Sequence, residues 1–323
     1  MKAVRFHKYG SPDVLTLEEI DKPEPGDGEV LVKVESSSIN AGDWHMMRGT
    51  PYLIRLIFGG LTKPKKKGLG ADVAGRVEAV GPNVSRLAVG DEVFGEIFGS
   101  AHGAFSEYVA VPESMLVKKP ESVPFEEAGA LATAGFAALQ AVRDKAEVHA
   151  GQKVLIVGAS GGVGSFAVQI AKAMGAEVTA LAGTHNVEMV RSLGADHVID
   201  YKKEDVTKGE ARFDVIIDAA AYRPFSDYSP ILEPQGTYVM IGGSSGEFFR
   251  MMFLGSFHTK KGGKTFAFLE SKPNPDDLAV LSEMAASGKI KPAVDRRYPL
   301  AQVADAIRYM EDEHAKGKVV IEI

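Results

Sequence analysis

The chain has 323 residues, 45% of them hydrophobic, and a formal net charge of −6. That length fits about two domains with sizeable cores, and the dispersed charge gives no sign of a nucleic-acid partner. Cysteine is absent, which excludes disulfides, thiolate catalysis and cysteine-ligated zinc.

The opening Met1-Lys-Ala-Val-Arg-Phe6 is unlike a signal peptide, and no apolar run reaches the ~18 residues of a membrane span. The expectation is a cytoplasmic protein with neither membrane nor nucleic-acid partners. Residues 1–121 read as β-rich. Strands are expected at Val14–Ile20 and Val30–Val34, separated by the turn-rich Asp21-Lys-Pro-Glu-Pro-Gly-Asp-Gly28. Short segments punctuated by glycine come next: Ser36–Gly49, Gly68–Gly81, Val89–Gly95 and Gly103–Val111. Their spacing suggests a small, partly open barrel. The basic run Lys63, Lys65, Lys66 and Lys67 reads as a solvated loop.

From Pro124 the pattern turns helical. Glu126–Val142 is alanine-rich and apolar on more than one face, as a buried helix should be. Strands are then expected at 153–157, 177–182, 197–201, 214–218, 237–241 and 265–269, the early ones separated by helices. That alternation implies an α/β fold with a doubly wound parallel sheet and right-handed crossovers, and six strands match the two-halved dinucleotide-binding fold. Within 243–264 a Phe/Met cluster suits an apolar pocket wall, a short core helix or an oligomer contact equally well. A helix (275–287), a strand near Tyr298, a helix (301–313) and a last strand (318–323) complete the chain. The expected domains are 1–121, completed by 271–323, and 122–270.

The central stretch is Lys153–Gly175. Val154–Val157 is a buried strand, and Val163, Phe166, Ala167, Ile170, Ala171 and Met174 recur at helical spacing. Between them lies Gly158-Ala-Ser160-Gly161-Gly162-Val163-Gly164, a strand-to-helix turn whose free N–H groups can hold a pyrophosphate. Gly161 or Gly162 allows close approach of the phosphates, and Gly164 allows the helix to pack on the strand. An acid about 20 residues further on would bond the ribose hydroxyls. Here the second strand, Val178–Ala182, ends without one and is followed by Gly183-Thr184-His185-Asn186. Thr184 and Asn186 can donate to a 2′-phosphate, with His185 or Arg191 adding charge, and Tyr201 can flank the adenine. NADPH is therefore favoured over NADH. Ordinary roles compete: Thr184 and Asn186 as helix caps, and Tyr201 as a strand-end aromatic. Asp218 ends the fourth strand at the sheet's ligand-binding edge, or serves there as a helix N-cap. Gly242 and Gly243, after the fifth strand, let a nicotinamide approach the backbone.

Pro23–Val34, Gly70–Gly81 and Val89–Val93 resemble the opening motifs of the medium-chain dehydrogenase/reductase superfamily. The turn Gly158–Gly164 and the closing Gly317–Ile321 resemble its zinc-independent, zeta-crystallin-like quinone oxidoreductase branch. The resemblance covers essentially the whole chain. It implies a GroES-like catalytic domain from both chain ends, a central Rossmann domain and an active site in the cleft between them. The superfamily's zinc enzymes use a Cys, a His and a second Cys; by motif those positions are Asn40, Ala71 and Thr133 here, and no ligand survives. The resemblance therefore implies NADPH-dependent hydride transfer to a quinone or α,β-unsaturated carbonyl, which needs no Lewis acid. Alternatives are a zinc-free aldehyde or alcohol dehydrogenase and a non-catalytic NADPH-binding protein.

The resemblance also assigns sites. Asn40, Asp43 and His45 are the catalytic candidates: Asn40 toward the substrate carbonyl or nicotinamide, Asp43 as an acid that orders the turn, and His45 as a proton relay or simply a packed histidine. Tyr52 joins Asn40 as a pocket candidate or is packing. Thr133, Phe268 and Lys318 match positions near the cofactor. Ala137 stands where relatives often carry a threonine that holds the cofactor, so one contact is missing. Homodimer formation through the edge strand 265–269 is expected.

Overall fold

One long strand sets the frame of the N-terminal region. In β3 (Glu29–Ser38), Val30, Val32 and Val34 are buried on one face; on the other Lys33 is exposed, while Leu31 and Ser37 are covered as well. Residues 1–57, 60–98, 103–242, 263–312 and 315–323 are described in this computed structural model. They form two compact units, 1–133 with 273–323, and 134–272.

In the first unit, β1 (Lys2–Phe6) and β2 (Leu15–Glu19) form an antiparallel pair. The main sheet contains β3, β4 (Asp72–Val80), β5 (Glu92–Glu96), β6 (Tyr108–Pro112) and β7 (Leu116–Lys118). β3 pairs with β4 and, over Glu29–Lys33, with β6. The C-terminal strand then takes over, Val320 pairing with Ser38 and Glu322 with Ser36. Valines of β3, β4, β5 and β6 join Ile97 and Leu116 in the core of this GroES-like sheet.

The second unit is a Rossmann fold. Its parallel strands are β8 (Lys153–Val157), β9 (Glu177–Ala182), β10 (His197–Asp200), β11 (Phe213–Asp218), β12 (Leu232–Met240) and β13 (Thr265–Phe268). Their order, β10-β9-β8-β11-β12-β13, reverses direction between β8 and β11, the arrangement that opens a ligand crevice at the carboxyl ends. Leu155, Val157, Ile216, Tyr238, Met240 and Phe266 are among its core residues. The chain then returns to the first unit through the helix Pro275–Ala286, β14 (Val294–Pro299), the helix Val303–Asp312 and β15 (Lys318–Glu322). Among the described residues no helix is long and apolar enough to cross a membrane.

Three expectations need correction. The Glu126–Val142 helix is broken into Phe125–Ala128 and Ala132–Leu139, followed by a wider π-type turn at Gln140–Lys145. The break is at Gly129, where a Cβ would meet Ser36 Oγ at 2.6 Å and the Ser36 backbone at 2.9 Å. The chain is thus pressed onto β3, and the boundary between units falls after Thr133 rather than residue 121. Pro12–Val14 forms a 3-10 turn, so the second strand begins at Leu15. The Phe/Met cluster lies almost wholly outside the described residues.

Candidate active site

In the Rossmann unit, the turn after β8 brings its glycines together for distinguishable reasons. Gly158 has φ +75°, and a Cβ there would lie 2.8 Å from Ala220 Cβ. At Gly164 a Cβ would be 2.0 Å from the Gly158 carbonyl oxygen, so the helix Gly162–Ala173 lies directly on the turn. Gly161 differs. Its backbone is extended, and a Cβ would find only the Gly158 oxygen, at 3.4 Å. The fold does not require glycine there; a phosphate approaching the backbone would. No side chain caps this helix, which leaves its N-terminal N–H groups suited to an anion. Ser160, Gly162 and Val163 complete the turn, each partly accessible.

Gly242 repeats the pattern after β12: it is exposed, and a Cβ would meet only the Ala219 oxygen, at 3.7 Å. Gly243 lies outside the described residues. Phe268 ends β13 and packs against the unit's core. Asp218 is fully buried, with its oxygens taken up by the chain. Ala220 and Ala221 N–H donate to Oδ1 at 3.0 and 2.7 Å, and Tyr238 OH donates to Oδ2 at 2.7 Å. Burial raises its pKa against the pull of those bonds. It holds the turn after β11 at the sheet's carboxyl edge.

The end of β9 departs from expectation. That strand carries no terminal acid, but Asp200, ending β10, pairs in register with Ala182. Strand pairing thus sets a carboxylate beside the end of β9. Its Oδ2 is buried and lies 3.3 Å from Lys203 Nζ, while Oδ1 accepts the Lys202 N–H at 3.0 Å. Burial opposes ionisation of Asp200, yet the Thr184 hydroxyl beside it and its lysine neighbour hold its pKa down. Thr184 and Asn186 form a 3-10 turn leading into the helix Val187–Ser192, and the buried Asn186 Oδ1 has no partner. Tyr201 lies against Gly183, its hydroxyl 3.1 Å from where a Cβ would be. Its ring centroid is 6.0 Å from that of Tyr222, a second exposed aromatic that spacing did not single out.

In the first unit, a buried polar network gathers residues far apart in sequence around Asp72. Its Oδ2 accepts Ser38 Oγ (2.5 Å), Asn40 Nδ2 (2.9 Å) and Lys318 Nζ (3.3 Å); its Oδ1 accepts the Thr133 N–H and hydroxyl (2.7 Å each). Lys318 also donates to Asn40 Oδ1 at 2.5 Å and to the Ile39 carbonyl at 3.4 Å. Asp72 is 0% exposed and Lys318 3%. Burial alone would raise the Asp72 pKa, but the Lys318 charge and the bonds from Asn40, Ser38 and Thr133 outweigh it and hold the carboxylate ionised. Lysine has only donors, so the Asn40 atom facing it is the oxygen. Asn40, Thr133 and Lys318 were expected to reach substrate or cofactor; here their polar atoms bond one another and Asp72. Asp72 and Ser38 were missed because buried acids are recognised by their partners, not by spacing.

Asp43 is bonded into the turn. It stands at the third position of the helix Ala41–Arg48, where Oδ2 accepts the Asn40 N–H (2.9 Å) and Oδ1 the Gly70 N–H (2.8 Å). Burial pushes its pKa up to about 7. Glu96, opposite Asp72 in the β4/β5 register, was also missed; burial, then the Asp72 charge, pushes it up to about 8. His45 Nδ1 donates to the Thr50 carbonyl at 2.8 Å, leaving Nε2 as acceptor, and burial lowers its pKa. Trp44 meets its ring edge-on at 4.3 Å. Tyr52 is 74% exposed and stacks on the Arg55 guanidinium, 4.5 Å from the ring centroid.

The zinc-ligand positions of the resembling family carry other side chains here. Ala71 has no donor, while Asn40 and Thr133 are bonded to Asp72 and, for Asn40, to an ammonium that repels cations. The nucleotide turn, by contrast, fits a dinucleotide.

Comparison with known proteins gives a consistent picture. The alcohol dehydrogenase GroES-like domain family matches residues 26–121, and the zinc-binding dehydrogenase family matches 193–321. A chloroplast envelope quinone oxidoreductase homolog of Arabidopsis thaliana is 32% identical across this whole chain and 98% of its own length. An NADPH-dependent alkenal/one oxidoreductase, chloroplastic, of the same plant is 35% identical over 99% of this chain and 79% of its own. The solved quinone oxidoreductase of Coxiella burnetii superposes with a TM-score of 0.88 at 29% identity, covering 100% of this chain and 99% of that one.

Proposed function

The chain belongs to the medium-chain dehydrogenase/reductase superfamily, in its quinone oxidoreductase branch, and on that premise we propose a zinc-independent, NADPH-dependent reductase of quinones or α,β-unsaturated carbonyls. That it is an oxidoreductase using a nicotinamide cofactor on a small molecule follows from the family. The choice of acceptor rests on one observation: a lysine ammonium lies among the side chains where zinc would be bound. Without a Lewis acid, an unactivated carbonyl is a poor hydride acceptor, whereas a quinone or enone already carries its own electron sink.

The bound cofactor supplies a hydride to the electron-poor carbon of the acceptor. The chain's own residues bind, orient and protonate. Gly161 and the uncapped helix start receive the pyrophosphate; Gly242 leaves room for the nicotinamide backbone contact. Asn40, its oxygen fixed by Lys318, holds an Nδ2 proton only weakly engaged by the Ser38 carbonyl at 3.3 Å, and this proton is offered to the acceptor's oxygen. His45 relays a proton through Nε2. Lys202 and Lys203 provide cations for a 2′-phosphate beside Tyr201, and Asp200 tempers the preference for NADPH.

The protein is further proposed to be a cytoplasmic homodimer joined through β13, the last strand of the Rossmann sheet among the described residues; sedimentation tests the pairing. Function is tested by following NADPH oxidation with a simple quinone and with an enone, after metal removal. Turnover with either supports the proposal; alcohol oxidation that requires added zinc overturns it.

A further inference from the structure

We propose that the Lys318 ammonium is the resident cation of the Asp72 site, a covalently built-in replacement for a metal ion. It deepens the zinc-independence proposed above, and its test reads no enzymatic activity, so the two fail separately.

Lys318 is almost fully buried, where an ammonium is stable only if matched by charge and hydrogen bonds. It is matched: its three protons have three oxygen acceptors, Asn40 Oδ1, Asp72 Oδ2 and the Ile39 carbonyl. The residues involved come from distant parts of the chain, the end of β3, the start of β4 and the start of β15, so the ammonium ties together elements that otherwise meet only along β3. Thr133 and Asn40, whose positions would ligate zinc in the resembling enzymes, are both fixed on the carboxylate that this ammonium neutralises. A divalent ion entering there would need to displace a tethered cation. Lys318 is thus a positioning residue: it sets which end of the Asn40 amide faces inward and holds the Asp72 carboxylate in place.

The test uses the whole chain. Lys318→Ala removes a fragment whose free form is propylammonium. Thermal unfolding is followed for wild type, Lys318→Ala, Lys318→Met and the double variant Asp72→Asn/Lys318→Ala, with propylammonium or tetramethylammonium at equal ionic strength. The expected result is a lowered midpoint for both single variants. Propylammonium should raise that of Lys318→Ala saturably. Tetramethylammonium, which has the charge but no N–H, should not, and neither wild type nor the double variant should respond. If Lys318→Ala fails to fold, refolding yield with each cation gives the same reading. Lys318→Met as stable as wild type, or equal rescue by both cations, would overturn the inference. So would one tightly held zinc per chain in wild type after equilibrium dialysis that is lost on Asp72→Asn substitution.

Discussion

Replacing Gly161 and Gly164 separately by alanine tests the nucleotide turn, because the structure assigns the two glycines to different causes. At Gly164 the new Cβ would stand 2.0 Å from the Gly158 carbonyl oxygen and 2.7 Å from its carbon. Ordinary contact begins beyond 3 Å, so the helix Gly162–Ala173 must move by about an ångström against a fully buried face. Overpacking of this kind costs about 1–3 kcal/mol, and this example belongs at the upper end because the obstacle is backbone. At Gly161 the Cβ would find only a 3.4 Å contact, and the extended backbone there is open to alanine. Loss of glycine's N-cap preference and the reduced freedom of the unfolded chain, each roughly 0.5 kcal/mol, nearly cancel. Gly161→Ala should therefore unfold in urea within about 0.5 kcal/mol of wild type. Yet it should lose at least tenfold in NADPH affinity, about 1.4 kcal/mol, because the methyl occupies the space of a phosphate oxygen. Nicotinamide fluorescence titration gives the affinity. Undiminished binding by Gly161→Ala would show that the pyrophosphate does not lie on this turn.

The buried pair offers a double-mutant cycle: Lys318→Met or Asp72→Asn alone should cost about 3–5 kcal/mol, and the double variant clearly less than their sum, by urea denaturation. The pH dependence has a defined sign. Glu96 is pushed up to about 8 in the folded state, so its protonated form contributes stability that is full below its unfolded pKa and is lost as pH rises through 8. Between pH 7 and 8 the unfolding free energy should fall by about 1 kcal/mol through Glu96, with a smaller share from Asp43, which is pushed up to about 7, and Glu96→Gln should remove the larger part of that fall. At the adenosine end, Asp200→Asn should tighten NADPH several-fold while leaving NADH unchanged, as removal of one carboxylate beside a 2′-phosphate requires; equal effects on both cofactors would remove the phosphate from this edge.

Much of this molecule was legible from pattern because pattern reflects local physics. Val154–Val157, the glycines and the helical spacing after Val163 are one contiguous strand–turn–helix, and they fold as read. The six parallel strands announced themselves the same way. What escaped involves contacts between distant segments. Asp200 reaches the end of β9 only through strand pairing, so counting residues along β9 could not find it. Asp72 draws Ser38, Asn40, Thr133 and Lys318 from separate places in the chain, and none of those residues carries a spacing signal for the others. The break at Gly129 reflects the approach of β3, again a tertiary event. Asp218 lay at the expected edge, but only its partners reveal that it organises the turn.

The most direct test of the proposed chemistry is rapid mixing of metal-free enzyme, preloaded with NADPH, against a simple quinone and an enone, followed by absorbance of the reduced nicotinamide. The proposal predicts stoichiometric loss of that absorbance in a single turnover, unaffected by zinc. Retention of the signal with both acceptors, together with zinc-dependent reduction of an unactivated aldehyde, would contradict it.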